Sequence, residues 1–249
     1  MTVRWVWVFL DLPEREFETS LAFWREVARS DVSPWRGPYR EFATLLPAEG
    51  EPWLKVQRVG GEGGVHLDLD VDEPLPVAAE RAVRLGAAVV GDLGDVVVCR
   101  SPGGFVFCLT PWTPGETAQG QVRTGAESLL DQVCLDIPPQ GYSAEVAFWS
   151  ELTGWEVDDP DPDDEFARLT WPAGLPVRFL LQRLDEGDGP VQGHVDLSAV
   201  DRAAEVERHL GLGASEAGAG RGWTVMRAPA GHRYCVTDRH PERPVPGAL

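Results

Sequence analysis

Two histidines in this sequence are each followed by an acid at the second position. His66 precedes Asp68, and His194 precedes Asp196. A carboxylate beside an imidazole fixes the tautomer of the ring and raises its pKa, which is the arrangement of a general acid–base pair. These four side chains are therefore the candidate catalytic residues, and Asp11 is an alternative partner for His66.

Sequence signatures of other enzyme chemistries are absent. The chain has no Gly-x-Ser-x-Gly, no phosphate-binding Gly-x-x-x-x-Gly-Lys and no His-Glu-x-x-His motif. The glycine-rich segment 60–64 precedes a predicted strand rather than a helix, so it is not a dinucleotide-binding turn. No Cys-x-x-Cys pair occurs, and we expect reduced thiols at all four cysteines, which are Cys99, Cys108, Cys134 and Cys235.

The first histidine lies in a regular alternation of predicted strands and helices. The β-branched and aromatic segment Val3–Leu10 predicts a strand, and the apolar stripe of Glu14–Ala28 predicts a helix. Three strands are predicted next, around Ser33–Trp35, Glu41–Leu46 and Trp53–Val59. The same order then repeats, with a strand at Gly64–Val71, a helix at Leu75–Leu85 ended by Gly86, and strands near Ala88–Val90, Val96–Arg100 and Phe105–Thr110.

The whole pattern occurs twice along the chain. Ala-Phe-Trp at 22–24 recurs at 147–149, the His-x-Asp motif at 66–68 recurs at 194–196, and Leu-Gly-Ala at 85–87 recurs at 212–214. Six such landmarks keep one order at a spacing of 125 to 128 residues. The chain is therefore two copies of one domain.

The predicted boundaries follow from composition. Residues 114–126 collect Gly, Pro, Thr and Gln without an apolar period, which is typical of a linker. We predict a first domain at 1–113, this linker, a second domain at 127–240 and a C-terminal tail at 241–249.

The motifs carry a family resemblance. The order Asp-x-Pro after a strand, Ala-Phe-Trp on a helix, His-Leu-Asp-Leu, Leu-Gly-Ala and Ser-Pro-Gly-Gly-Phe resembles the vicinal oxygen chelate superfamily, and within it the glyoxalase-like branch with tandem domains. That superfamily includes glyoxalase I, extradiol dioxygenases and bleomycin-resistance proteins. The resemblance implies an α+β fold in which each domain is a pair of βαβββ modules that form a curled mixed sheet, a cup, with outer helices.

The resemblance also implies four ligand positions in each domain of the metal-dependent members. They fall on Trp7, Gln57, His66 and Cys108 in the first copy and on Gln132, Gln182, His194 and Cys235 in the second. Only the histidine is retained in each copy. Mg²⁺, Mn²⁺ and Fe²⁺ need charged oxygen or imidazole ligands, and zinc needs three or four protein ligands. We therefore expect no cofactor and no metal; if Zn, Mn, Fe or Ni does bind, His66 and His194 are its ligands.

Strand alternation predicts different linings for the two cups. The candidate ligand-binding residues of the first copy are mainly aromatic, and those of the second mainly polar. In the first copy they are Trp5, Trp7, Phe9, Trp53, Gln57, His66 and Cys108; in the second they are Gln132, Arg178, Gln182, His194 and Cys235. An aromatic face binds cations, so the first cup suits a planar or cationic ligand.

Structural interpretations of the same residues stay open. The two histidines are equally explained by hydrogen bonds to Asp68 and Asp196, and the tryptophans by closure of the seam between sheets. His209, near the end of a predicted helix, is expected to interact favourably with the helix dipole.

Charge excludes one class of partner. With 22 Lys+Arg against 40 Asp+Glu, the formal net charge is −18, and no basic cluster exists to bind nucleic acid. No apolar run approaches the roughly 20 residues needed to span a bilayer. We expect a cytoplasmic globular protein that favours basic ligands.

Three functions follow from these observations. The leading hypothesis is a metal-independent small-molecule binding protein that sequesters an aromatic or cationic metabolite or antibiotic. The alternative is a metal-dependent lyase, isomerase or dioxygenase of the same superfamily with an atypical His/Cys/Gln site. The third is an interaction module in which duplication replaces a homodimer. The expected state is a monomer with paired domains or a homodimer.

Overall fold

The structure is a computed structural model that describes most of the chain. The described residues are 1–48, 50–113, 127–158, 164–170, 172, 174–175 and 177–241. The predicted linker, 114–126, and nearly all of the predicted tail lie outside them, so the domain boundaries stay predictions. Among the described residues no helix is long and apolar enough to cross a membrane.

The first repeat forms one mixed eight-stranded sheet with two helices. Its strands are β1 (Val3–Pro13), β2 (Ser30–Val32), β3 (Phe42–Pro47), β4 (Leu54–Val59), β5 (Gly64–Val71), β6 (Ala88–Asp92), β7 (Val97–Arg100) and β8 (Val106–Pro111), and its helices are α1 (Phe17–Ala28) and α2 (Leu75–Arg84). The strand order is β2-β3-β4-β1-β5-β8-β7-β6. Strands β5 and β8 are parallel, whereas β7 is antiparallel to both β6 and β8.

The second repeat forms a sheet of the same order. Its strands are β9 (Ser128–Ile137), β10 (Val157–Asp158), β11 (Phe166–Leu169), β12 (Arg178–Arg183), β13 (Gln192–Ala199), β14 (Ser215–Ala219), β15 (Trp223–Arg227) and β16 (Arg233–Thr237), and its helices are α3 (Tyr142–Thr153) and α4 (Arg202–Gly211). The strand order β10-β11-β12-β9-β13-β16-β15-β14 reproduces that of the first sheet. The predicted α+β class and tandem βαβββ modules are confirmed.

Several element boundaries differ from the sequence predictions by one to three residues; the first strand, for example, extends to Pro13 rather than ending at Leu10. The helix predicted at Glu14–Ala28 begins at Phe17, because Glu14–Glu16 form a separate 3-10 turn. The strand predicted at Ser33–Trp35 lies earlier, at Ser30–Val32. Proline has no N–H to donate to a strand ladder, so Pro34 lies beyond the end of β2.

The chain forms two compact units, each of which draws on both repeats. The first unit comprises Met1–Val8, His66–Gln119 and Cys134–Gly193, and the second comprises Phe9–Val65, Gly120–Val133 and His194–Leu249.

An aromatic cluster forms the core of the first unit. Trp149 of α3 is fully buried, and its ring centroid lies 5.3 Å from that of Phe107 and 5.9 Å from that of Phe179. Its indole N–H donates to Oε2 of Glu145 at 2.8 Å. The other oxygen of this buried carboxylate accepts the backbone N–H of Gly103. The helix is therefore fixed to the 101–104 turn by both packing and a carboxylate.

A buried ionic network holds the second unit together. Glu205 of α4 accepts hydrogen bonds from Arg208 at 2.6 and 3.0 Å and from the Ser128 hydroxyl at 2.6 Å, and Arg29 lies 3.4 Å away. Burial alone would raise the pKa of Glu205, but the hydrogen bonds from His209, Arg208 and Ser128 outweigh it and hold this pKa well below its ordinary value.

His209 is completely buried within the same network. Its Nε2 lies 3.2 Å from Oε1 of Glu205, and its Nδ1 lies 3.0 Å from the Tyr234 hydroxyl. Burial lowers the pKa of His209, against the opposing effect of Glu205. The predicted interaction with the helix dipole therefore describes only part of the environment of His209. Its contacts with Glu205 and with Tyr234 of β16 are not explained by the dipole.

The depressed pKa of His209 predicts a pH dependence of stability. The unfolded chain binds a proton at His209 below about pH 6.5, whereas the folded chain resists it, so the free energy of unfolding falls as the pH drops through that value, by at most about 1.4 kcal/mol per pH unit. Urea denaturation at pH 7.5 and 5.5 measures this loss. Glutamine does not titrate, so in His209→Gln the free energy of unfolding is expected to change less between pH 7.5 and pH 5.5. Equal changes in the two proteins would contradict the assignment.

Candidate functional site

Three donor side chains meet on one face of the first sheet. His66 and Asp68 are two residues apart on β5, so their side chains share one face of the sheet. The parallel register pairs Asp68 with Cys108 of β8. Nε2 of His66 lies 3.7 Å from Oδ1 of Asp68, and the three possible ligand atoms lie within 4.8 Å of one another. All three side chains are buried. We call His66, Asp68 and Cys108 the first cluster.

The second repeat builds the same arrangement with shorter contacts. The second cluster consists of His194, Asp196 and Cys235, and Asp196 pairs with Cys235 in the register of β13 with β16. Nε2 of His194 lies 3.2 Å from Oδ1 of Asp196 and 3.5 Å from Sγ of Cys235. Burial raises the pKa of the Cys235 thiol, although the contact with His194 opposes this.

The β1 and β9 residues beside the clusters differ between the repeats. Gln132 of β9 donates its amide N–H to Oδ2 of Asp196 at 2.6 Å. The equivalent residue of β1, Trp7, instead donates its indole N–H to Oδ2 of Asp70 at 3.1 Å. The carboxylate of Asp70 also accepts the Thr110 hydroxyl at 2.7 Å.

Trp5 and Trp7 form a pair next to the first cluster. Their ring centroids are 6.0 Å apart in an edge-to-face arrangement. Trp5 is almost completely buried, whereas Trp7 is only half-buried. Trp7 is therefore the more exposed ring of this pair.

The other predicted residues of the first repeat belong to the second unit. Phe9 is buried, packs edge-to-face against Phe42 and lies under the Lys55 ammonium, with Nζ 5.1 Å from the ring centroid. Trp53 is buried just before β4, and Gln57 is half-buried on that strand.

Two predicted residues of the second repeat lie on β12, in the first unit. Oε1 of Gln182 accepts a hydrogen bond from the Cys134 thiol at 3.8 Å, and its amide N–H donates one to Glu165 at 2.8 Å. Arg178 begins the strand and is half-buried. Neither belongs to the second cluster.

The sequence interpretation missed a cation near the second cluster. Arg239 forms a bidentate ion pair with Asp131, at 2.7 and 3.0 Å, and Asp196 also acts on its charge. This arginine follows β16 in a segment with no motif, so only its contact across the fold reveals it.

The donor set decides which metals the clusters fit. Each cluster offers one imidazole, one carboxylate and one thiol. This is not the two-histidine, one-carboxylate set of non-haem Fe(II) oxygenases, so the residues do not fit that iron site. Three mixed N, O and S ligands do suit zinc with one open position. The sequence interpretation left out the aspartates as ligands, although the His-x-Asp spacing already placed them on the same face.

Comparisons with known proteins place the fold. A family model described as "Glyoxalase-like domain" matches residues 7–110 and 132–237, and no curated protein matches the sequence.

Several solved structures are similar in fold. 2,2',3-Trihydroxybiphenyl 1,2-dioxygenase from Sphingomonas wittichii is 15% identical, with a TM-score of 0.62 over 95% of this chain and 90% of that one. A variant of homoprotocatechuate 2,3-dioxygenase from B. fuscum is 16% identical, with a TM-score of 0.63 over 96% and 72%. A variant of 4-hydroxymandelate synthase from Streptomyces coelicolor is 13% identical, with a TM-score of 0.61 over 98% and 95%. At this identity the likeness concerns the fold alone.

Proposed function

The chain belongs to the glyoxalase-like domain family. We propose that it is a small-molecule binding protein. In this proposal an aromatic or cationic ligand binds at the first cluster without a catalytic metal. The observation that carries the proposal is the hydrogen bond from Trp7 to Asp70. It fixes a half-buried aromatic ring beside a strand that also carries Asp68.

Electrostatics supports a cation as the ligand. Asp68 and Asp70 supply two carboxylates to the face of β5 that carries His66. An indole ring attracts a cation held over its face, with a contribution of about 0.5–2 kcal/mol. The formal charge of −18 also raises the local concentration of cations.

The two repeats differ in a way that favours the first as the cation site. At the position of Trp7 the second repeat carries Gln132, which is hydrogen-bonded to Asp196. Arg239 adds a positive charge near that aspartate. At this position of the second repeat a cationic ligand therefore meets no aromatic ring, and it meets an arginine close to the aspartate.

Binding of benzyltrimethylammonium tests the proposal. We expect saturable quenching of tryptophan fluorescence in chelator-treated protein, and no response to benzenesulfonate. Trp7→Leu is expected to weaken binding about tenfold, equivalent to about 1.4 kcal/mol and within the range of a cation–π contact. The control is Trp112→Leu, which removes a ring that lies against Arg4 instead.

Two outcomes would count against this function. One is equal affinity in the Trp7 and Trp112 variants, which would move the ligand away from the first cluster. The other is equal binding of benzenesulfonate, which would remove the electrostatic basis of the proposal.

A second candidate function rests on the geometry of the second cluster. His194, Asp196 and Cys235 would hold zinc, and a bound zinc supplies a Lewis acid for a carbonyl substrate, as a lyase or isomerase requires. Elemental analysis of the purified protein tests this candidate. Stoichiometric zinc that is lost in Asp196→Asn and retained in the exposed control Asp201→Asn would favour it over metal-independent binding.

A further inference from the structure

The two sheets end in edge strands of opposite character. Strand β6 ends the first sheet, and β14 ends the second. In β6 the residues Val89 and Val90 are 44% and 53% exposed, and Leu93 in the turn that follows is 71% exposed. An unpaired edge with exposed apolar residues is a template for pairing with another strand.

The equivalent edge of the second repeat carries none of these residues. At the spacing of 127 residues, Val89, Val90 and Leu93 correspond to Glu216, Ala217 and Gly220. A glutamate in place of an exposed valine is a common protection of a free edge. Both edge strands contain a β-bulge, between Val89 and Gly91 in β6 and between Glu216 and Gly218 in β14. The two edges therefore differ in their side chains, and that of β6 is the apolar one.

We propose that β6 is a self-association surface, through which two copies of this chain pair their β6 strands antiparallel around a two-fold axis. Such pairing satisfies backbone N–H and C=O groups on either side of the bulge at Val90 and removes the valines from water. Only an antiparallel arrangement of identical strands gives a closed, symmetric pair.

The charges at the two ends of β6 select the same arrangement. Arg84, at the end of α2, precedes the strand, and Asp92 and Asp95 lie at its far end and in the following turn; all three are exposed. Antiparallel pairing brings the basic end of one copy beside the acidic end of the other. Parallel pairing would instead place like charges together, which is unfavourable.

The strand is short, so the dimer is expected to be weak. Stable dimers bury about 800 Å² on each partner, and a five-residue edge with its flanking side chains favours dissociation constants in the micromolar range. The net charge of −18 makes two copies repel each other, so added salt is expected to strengthen the dimer by screening this repulsion. At higher salt the attraction between Arg84 and the acidic end of the other copy is screened as well, and the dimer weakens again.

Sedimentation velocity of the full chain from about 1 to about 200 μM tests the proposal, a range that brackets micromolar dissociation constants. We expect the wild type to pass from monomer to dimer and Val90→Lys to stay monomeric over the whole range. Ala217→Lys places the same charge on the exposed edge β14 and is expected to leave dimerisation unchanged.

A charge-reversal pair tests the antiparallel arrangement. Arg84→Glu is expected to weaken the dimer several-fold, and combination with Asp95→Arg to restore it, because the exchanged charges meet again across the two-fold axis. A wild type that is monomeric at every concentration, a dimer unaffected by Val90→Lys, or equal disruption by Ala217→Lys would each overturn the proposal.

Discussion

Replacing Glu205 with glutamine is expected to lower the free energy of unfolding by about 3 kcal/mol, because removal of one partner from a buried ion pair leaves the other without compensation. The loss falls at the lower end of the range for buried pairs, since 27% of the Arg208 side chain stays exposed. Glutamine preserves the size of the side chain, so the effect isolates the charge.

The reason for so large an effect is the number of groups that depend on this carboxylate. Glu205 binds Arg208, which in turn donates to the backbone carbonyls of Glu26 and Val27 at the end of α1. The same carboxylate accepts the hydroxyl of Ser128, at the start of β9. A single anion thus connects α1, α4 and the first strand of the second repeat within one unit.

Chemical denaturation with circular dichroism measures this loss. The matched control is Glu207→Gln, which makes the same change on the exposed side of α4 and is expected to shift stability by less than about 0.5 kcal/mol. Similar effects of the two variants would show that the buried network contributes nothing specific to stability.

Trp149→Phe is expected to destabilise the protein by about 2 kcal/mol more than Trp24→Phe. The two tryptophans occupy equivalent positions of the repeats, and both are almost completely buried. The Trp149 indole N–H donates to Glu145, whereas the Trp24 indole N–H has no hydrogen-bond partner among the described residues.

The comparison works because both substitutions remove the same volume. The loss common to both variants is packing, and the difference is a hydrogen bond to a buried carboxylate, worth about 1.5–3 kcal/mol. Thermal unfolding of the two variants side by side gives this difference. Equal losses of stability in the two variants would mean that the hydrogen bond from Trp149 to Glu145 contributes nothing to stability.

The order and type of the elements were predictable because their signals are local. Apolar periodicity and the recurring Leu-Gly-Ala helix end lie within short segments, and the duplication presents each signal twice. Gly86 indeed adopts a positive φ of 108° at the end of α2. The displaced strand near Pro34 shows the limit, since an apolar segment does not reveal which backbone groups will find partners.

Contacts between distant segments were not predictable in the same way. Alternation along β5 and β13 places each histidine and its aspartate on one face. Cys108 and Cys235 were grouped with the histidines through the family resemblance alone, because the local pattern does not show which strand becomes the neighbour. Glu205, Arg208 and His209 share α4 at helical spacing. Their other partners, Ser128 and Tyr234, lie on other elements, and nothing in the helix itself identifies them. Arg239 likewise acquires its importance only through contact with Asp131.

The most direct test of the proposed function is an isothermal titration of chelator-treated protein with benzyltrimethylammonium. We predict saturable binding of one equivalent in protein shown to be free of metal, weakened about tenfold by Trp7→Leu. Binding that appears only after zinc is restored, or no binding of this cation at all, would contradict metal-independent recognition at the first cluster.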